Sequence, residues 1–241
     1  MFESIDEKKK LLDQKRPLPV HTLRSLEEHL IVNWTYHSNA IEGNTLTLSE
    51  TKVALEGITV GGKTIKEHLE AINHREAILY VLEIVQKEAR LSEWQIRSIH
   101  RLILRGIDDD HAGIYRKENI VISGAQHIPP DALHVESEME RFVKWYETDG
   151  LKRHPIERAA ALHSDFVNIH PFIDGNGRTA RLLLNFELMK SGYPPIVIEK
   201  ESRAEYYSAL DRARTTGDMS AFVSLVATLV DRTLDFYLQL V

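Results

Sequence analysis

The residues best equipped for chemistry in this 241-residue chain fall in one run, His170-Pro171-Phe172-Ile173-Asp174-Gly175-Asn176-Gly177-Arg178-Thr179-Ala180-Arg181. A neutral imidazole accepts a proton readily near pH 7. Pro171 disfavours αR geometry at His170, which predicts that a helix ends there with the imidazole projecting from its terminus. Gly175 and Gly177 flank Asn176 ahead of a predicted helix, so successive N–H groups can form an anion-binding nest reinforced by the helix dipole. Arg178 and Arg181 are three apart, share a helix face and can grip phosphate oxygens as forks. Arginine in a first turn opposes the dipole unless an anion is present. Asp174 offers a hard oxygen suited to Mg²⁺ that shares its shell with phosphates and water. Each piece alone is ordinary structure. Together they supply a base, a metal ligand, an anion nest and a charge clamp, the parts that phosphoryl-type transfer requires. A helix C-terminus behind His170 raises its pKa while Mg²⁺ and two arginines lower it, a balance the sequence leaves open.

This run satisfies HxFx(D/E)GNGRxxR at every specified position. In this it resembles the Fic (filamentation induced by cAMP) family, and the resemblance extends over roughly residues 20 to 215. It implies an all-α core with a small β-hairpin flap. It also implies transfer of AMP from ATP to a Ser, Thr or Tyr hydroxyl of a protein, auto-modification included. By resemblance, His170 takes the hydroxyl proton and Asp174 holds Mg²⁺. Gly175, Asn176 and Gly177 bind phosphates with Arg178 and Arg181, and Phe172 is a buried anchor. Gly113, Tyr115 and Arg116, then Ile120, Val121, Ile122, Ser123 and Gly124 with His127-Ile128-Pro129-Pro130, resemble the flap that aligns a target segment. Tyr206 and Tyr207 resemble the tyrosines lining the adenine pocket. Relatives often carry Asn where Arg214 aligns, which bears on base selectivity.

A second segment, Ser38-Asn39-Ala40-Ile41-Glu42-Gly43-Asn44, is similar to the family's inhibitory (S/T)xxxE(G/N) motif. Ser38 and Glu42 are four apart and share a helix face. Taken alone, this is a helix end with a glycine cap. Beside the first motif, the resemblance implies that Glu42 pairs with Arg181 and holds it from the γ-phosphate while Ser38 supports the inhibitory helix.

The elements that must position these residues read as helices. Leu23, Leu26, Leu30, Trp34, His37 and Ile41 form one helical stripe closed by Gly43. Thr47 with Glu50 and Ser92 with Gln95 read as capping boxes, opening helices to about Glu56 and Gly106. Another helix runs from about Ile65 to Glu88, and more follow at about 131 to 148, 155 to 170, 178 to 191, 201 to 214 and 219 to 239. Asn119 to Gly124 is the one good β-branched run, read as a hairpin or flap. Leu182, Leu183, Leu184, Phe186, Leu188 and Met189 make the helix after the motif apolar almost all round, hence central. The fold class is all-α, with residues 1–60 as a helical extension and 61–241 as a Fic-type core with C-terminal helices, one compact unit.

An apolar fraction of 43% can supply a core. A formal charge of -6 without long charge blocks argues against nucleic acid as partner. No apolar run reaches a membrane span and no secretory leader is evident, so cytoplasmic residence is expected. Without cysteine there is no thiol nucleophile, disulfide or cysteine-ligated zinc. His163 lies on an apolar stripe and reads as a satisfied core histidine, and His154-Pro155 as a helix start. The run Asp108-Asp109-Asp110-His111-Ala112-Gly113 reads as a turn. The expected partners are ATP and a protein hydroxyl; the sequence leaves self-association into a homo-oligomer open. Two alternatives stay open: a Fic relative with another reaction (UMP or phosphocholine transfer, or Glu42-assisted removal of AMP), and a non-catalytic nucleotide-binding or toxin–antitoxin interaction module.

Overall fold

Ten α-helices make up the architecture seen in a computed structural model that describes residues 2–122 and 127–240. They are α1 (Glu3–Gln14), α2 (Val20–Ile41), α3 (Leu48–Leu55), α4 (Ile65–Gln86), α5 (Glu93–Leu104), α6 (Val135–Glu147), α7 (Pro155–Ile169), α8 (Asn176–Lys190), α9 (Arg203–Thr216) and α10 (Ser220–Gln239). Thr47 caps α3 as expected: its hydroxyl accepts from Glu50 N–H and the Glu50 carboxylate accepts from Thr47 N–H. Thr64 and Glu67 build the same device at α4, where the sequence reading named none. The box expected at Ser92 is not formed, because the Ser92 hydroxyl turns to the Gln95 side chain and leaves the helix N–H groups alone. Helix α8 begins at Asn176, two residues earlier than expected, because Gly175 adopts the left-handed conformation (φ 75°) that lets the chain turn into the helix there. Helix α1, not foreseen as an element of its own, buries Ile5 and Leu12 against α10.

Helices α7 and α8 pack along each other at the centre, as the apolar circumference of α8 requires. Both contribute to two separate cores. Leu162, Phe166, Leu182 and Leu183 join Trp34, Phe142 and the isoleucines of α5. Ile156, Ala160, Leu184 and Leu188 join Phe222, Val226 and Leu234 of α10. Each large side chain buried this way stabilises the fold by about 1.5–3 kcal/mol, so the six residues joining α7 to α8 hang from the most firmly held pair in the molecule. Helix α2 packs on α4 and reaches α8, which brings the end of α2 over the first turn of α8.

The hairpin expected at residues 119–124 is not seen: there is no strand among the described residues, and Ile120, Val121 and Ile122 carry no ladder. Ser123 and Gly124 lie outside the described residues. The physical reason is that β-branched residues favour an extended chain, but a strand needs a neighbouring edge to pair with, and the surroundings here are helical. No helix among the described residues is long and apolar enough to cross a membrane.

Candidate active site

The loop between α7 and α8 begins with His170, which closes α7 in the left-handed region (φ 48°, ψ 60°) while its amide donates to Phe166 O at 3.0 Å. A left-handed residue that is not glycine is strained by about 1–2 kcal/mol. The proline that follows excludes the helical alternative, and two bonds from Arg116 hold the turn: Nε donates to His170 O and the amide to Pro171 O, both at 2.9 Å. Phe172 is fully buried and lies flat on the His100 ring, with centroids 3.5 Å apart and planes within 4°. The Asn176 side chain then ties the loop to itself, accepting from Phe172 N–H at 3.0 Å and donating to Phe172 O at 2.8 Å. Its carbonyl and one N–H of its amide are therefore engaged within the loop. His100, on α5, accepts from Gly113 N–H at its Nδ1 (2.9 Å) and meets Asp174 O at its Nε2 (2.8 Å). The first bond fixes the proton on Nε2. A side chain at Gly175 would press on this same ring, at 3.2 Å.

Burial dominates the electrostatics of His170: desolvation pulls its pKa down to about 4, the Val167 carbonyl opposes, and Arg214 and Arg116 pull the same way as burial. Burial thus sets the direction, toward the neutral form, and the arginines that add to it are not those of the motif. A neutral imidazole is the form that accepts a proton.

Arg181, 3% exposed, is where the two motifs meet. Its Nε donates to Ser38 Oγ at 3.0 Å, and its Nη2 donates to Ser38 O and to Glu42 Oε1, each at 2.8 Å. Its Nη1 reaches the Tyr206 hydroxyl at 3.5 Å. Burial works against its charge, but Glu42 and Tyr206 more than offset this and raise its pKa. The Glu42 carboxylate also covers the anion loop, since a Cβ at Gly177 would stand 2.3 Å from Glu42 Oε1. Arg178, equally buried, is held by Glu70 Oε1 and Asp174 Oδ2, each at 3.5 Å.

A cleft of about 460 Å³ opens beside these groups, within the range of ligand pockets. Among the residues singled out in the sequence, Glu42, Ile122, His170, Gly177, Arg181, Tyr206 and Tyr207 line it together, with Arg214 and Asp211 farther along α9. Asp174, Gly175, Asn176 and Arg178 belong to the loop but do not line the cleft, and Ser38 stands behind Arg181. Tyr206 is buried with its hydroxyl 2.9 Å from His163 Nε2, while Tyr207 is 38% exposed. His163 is only half satisfied, since its Nδ1 has no partner among the described residues. Val121 is 80% exposed, and Ile120 lies beside it at the surface end of the flap segment.

Asp174 presents a largely exposed carboxylate whose Oδ1 also accepts from Gly175 N–H at 2.6 Å. No group of three or more metal-binding side chains occurs among the described residues. One accessible carboxylate fits Mg²⁺, which characteristically takes one or two protein oxygens and fills its shell with phosphate and water.

His100, His163 and Glu70 were not assigned to the site from the sequence. The one available signal was a polar residue within an apolar stripe: His100 stands among Ile96, Ile99 and Ile103 on the buried face of α5.

A helical core carrying a histidine-capped helix, a glycine-rich anion loop and a buried arginine defines a class, and comparison with known proteins bears it out. The profile of the Fic/DOC family matches residues 90–188. Among solved structures, Fic-1 from C. elegans superposes with a TM-score of 0.88 at 35% identity, covering 98% of this chain and 71% of that one. A Fic domain containing signaling protein from Bacteroides thetaiotaomicron gives 0.90 at 30% identity, covering 99% and 96%. The protein adenylyltransferase Fic of Nematostella vectensis is 41% identical over 244 residues, 99% of this chain and 56% of that one. That of Drosophila melanogaster is 37% identical over 247 residues, 99% and 50%. The chain belongs to the Fic/DOC family. It spans about half the length of the curated relatives it matches.

Proposed function

We propose that this chain is a protein adenylyltransferase, restrained by its own Glu42. The observation that carries the reading is the meeting, in one cleft, of a neutral His170, the amide at Gly177 and the Arg181 guanidinium. A hydroxyl oxygen of a target side chain attacks the α-phosphorus of ATP and the bond to pyrophosphate breaks. His170 receives the hydroxyl proton. The main-chain amides of Asn176 and Gly177, with the dipole of α8, hold phosphate oxygens, and Arg181 neutralises the outer phosphates once it is free of Glu42. Arg178 holds Asp174 in place, and Asp174 would hold Mg²⁺, which supplies neutralisation of phosphate charge. Tyr207, with the buried Tyr206 behind it, offers a wall for the base.

The Glu42 carboxylate supports the regulatory half of the proposal, because it takes both the guanidinium and the space over Gly177 that a phosphate oxygen needs. Residues 1–60 are then a regulatory extension and 61–241 the catalytic unit. Residues 120–122 and 127–128 belong to a flap, and 120–122 pair as a strand only when a target segment supplies the edge. ATP and a protein hydroxyl, the chain's own included, are the substrates, and cytoplasmic residence belongs to the same reading. Incubating wild type and Glu42→Gly with a nucleotide panel and Mg²⁺, then reading intact mass, tests it. The expected product carries one or more AMP groups from ATP. A mass gain from another nucleotide alone, or none from either protein, would overturn it.

A further inference from the structure

Among the described residues, one buried cation outside both motifs is bonded to main chain alone. Arg116 is 3% exposed, and its guanidinium donates from Nε to His170 O at 2.9 Å, from Nη1 to Glu118 O at 3.0 Å, and from Nη2 to Pro130 O. Its own amide donates to Pro171 O at 2.9 Å. These acceptors belong to two parts of the molecule. His170 and Pro171 form the turn that carries the proposed base, while Glu118 and Pro130 are the two roots of residues 119–128. Among the described residues no carboxylate oxygen lies within ion-pair distance of this guanidinium. Burial lowers its pKa, and Asp131 opposes from farther away.

A buried guanidinium is strongly disfavoured unless its N–H groups are bonded, so the carbonyls that satisfy it are held as firmly as it is. One planar fork thus fixes the direction of the His170 carbonyl, in a residue already strained at φ 48°, together with both ends of the flap segment. That segment exposes Val121 (80%) and Ile128 (73%), apolar surface of the kind a partner covers. Seating a target segment there moves or steadies the roots, and the roots share their anchor with the base.

We propose that Arg116 is a positioning residue that couples the Glu118 and Pro130 roots, beside the exposed Val121 and Ile128, to His170, so that engagement of a target segment at those residues and placement of the base are one event. The rate arm of its test rests on the proposed transfer reaction; the exchange arm does not.

The variant is Arg116→Lys in the Glu42→Gly background. Lysine keeps the charge, but a point ammonium cannot span three fanned carbonyls. At saturating ATP and Mg²⁺ the rate of self-modification, read by intact mass, should fall at least about tenfold, while ATP Kd by calorimetry stays within about twofold. Hydrogen exchange should rise together at the bonded amides of Arg116, Ala132 and Phe172 and stay unchanged along α8. In the unsubstituted protein these same amides should open with one common free energy, which decides the matter even if the lysine variant does not fold. Separate opening energies, exchange that rises at only one of the two parts, an unchanged rate, or a rate that falls in step with ATP affinity would each overturn the coupling. If the Glu42→Gly parent transfers no AMP, the proposed reaction fails and the exchange result still stands.

Discussion

Replacing Glu42 with glycine removes the one carboxylate that both bonds Arg181 and roofs Gly177. The lost contact is a 2.8 Å charge-assisted bond to a guanidinium that is 3% exposed, from a carboxylate side chain that is 33% exposed. Hydrogen bonds to charged groups contribute about 1.5–3 kcal/mol when buried, and surface ion pairs about 0–1 kcal/mol. This half-shielded pair falls between them, at about 1–2 kcal/mol. If that pair and productive ATP compete for one guanidinium, its loss raises transfer by about 5- to 30-fold, at 1.4 kcal/mol per tenfold. Glu42 is also the residue that caps α2, and Arg181 would lose its countercharge, so a melting temperature lower by a few degrees is expected. Intact-mass detection of modified protein after incubation with ATP and Mg²⁺, beside a thermal melt, measures both. Glu42→Gln, which keeps a hydrogen bond without the charge, should fall between wild type and Glu42→Gly. Arg181→Ala should show no rise, because it removes brake and clamp together. A Glu42→Gly protein that melts normally and modifies itself no faster than wild type refutes the competition.

Three further outcomes follow from the site. His170→Ala should lower transfer by about 10²- to 10⁴-fold with ATP affinity retained in calorimetry, because the imidazole meets the incoming hydroxyl and not the phosphates; retained transfer would remove it as base. Asp174→Ala should lose most of the rate and its dependence on Mg²⁺ concentration, and a wild-type metal titration in that variant would place the ligand elsewhere. The pH response has a definite sign. His170 and His100 have pKa values lowered to about 4 and His74 and His163 lie well below their ordinary value, all chiefly by desolvation. The unfolded chain therefore binds more protons than the folded one between pH 6.5 and about 4, and stability is lost as pH falls through that window. Transfer should stay level below pH 6.5 for as long as the protein remains folded in a parallel melt. A rate that halves near the ordinary histidine pKa in fully folded protein would contradict a buried, neutral His170.

The legible parts of the site were those written in consecutive residues. Pro171 announced the end of α7, and the apolar circumference of α8 announced its central place. The spacing of Ser38 and Glu42, together with the family resemblance, announced the partner found on Arg181. What stayed hidden depends on residues far apart in the chain. Nothing near Asp174 in sequence indicates that His100 holds its carbonyl, and Arg178 shows no local sign of Glu70, which reaches it from α4. The hairpin was misread for a related reason: β-branched residues at 120–122 report a local preference, whereas a strand is a property of two chains. His163 read as satisfied because an apolar stripe gives no information about each ring nitrogen separately, and only Tyr206, arriving from α9, occupies one of them.

Asn176 closes a small ring on Phe172 with two bonds, so the shape of the turn is set before any nucleotide arrives. The turn would then need little ordering on binding, and the proposed grip on phosphate would be independent of what occupies the far end of the cleft. Changes along the α9 wall, from Tyr207 through Asp211 to Arg214, which line the same cleft, would then alter which base is favoured without disturbing the place where the proposed reaction holds the transferred group. On the proposed reading, a scaffold divided in this way, with a fixed grip and a separable selector, would pass from one donor nucleotide to another by substitutions on one helix.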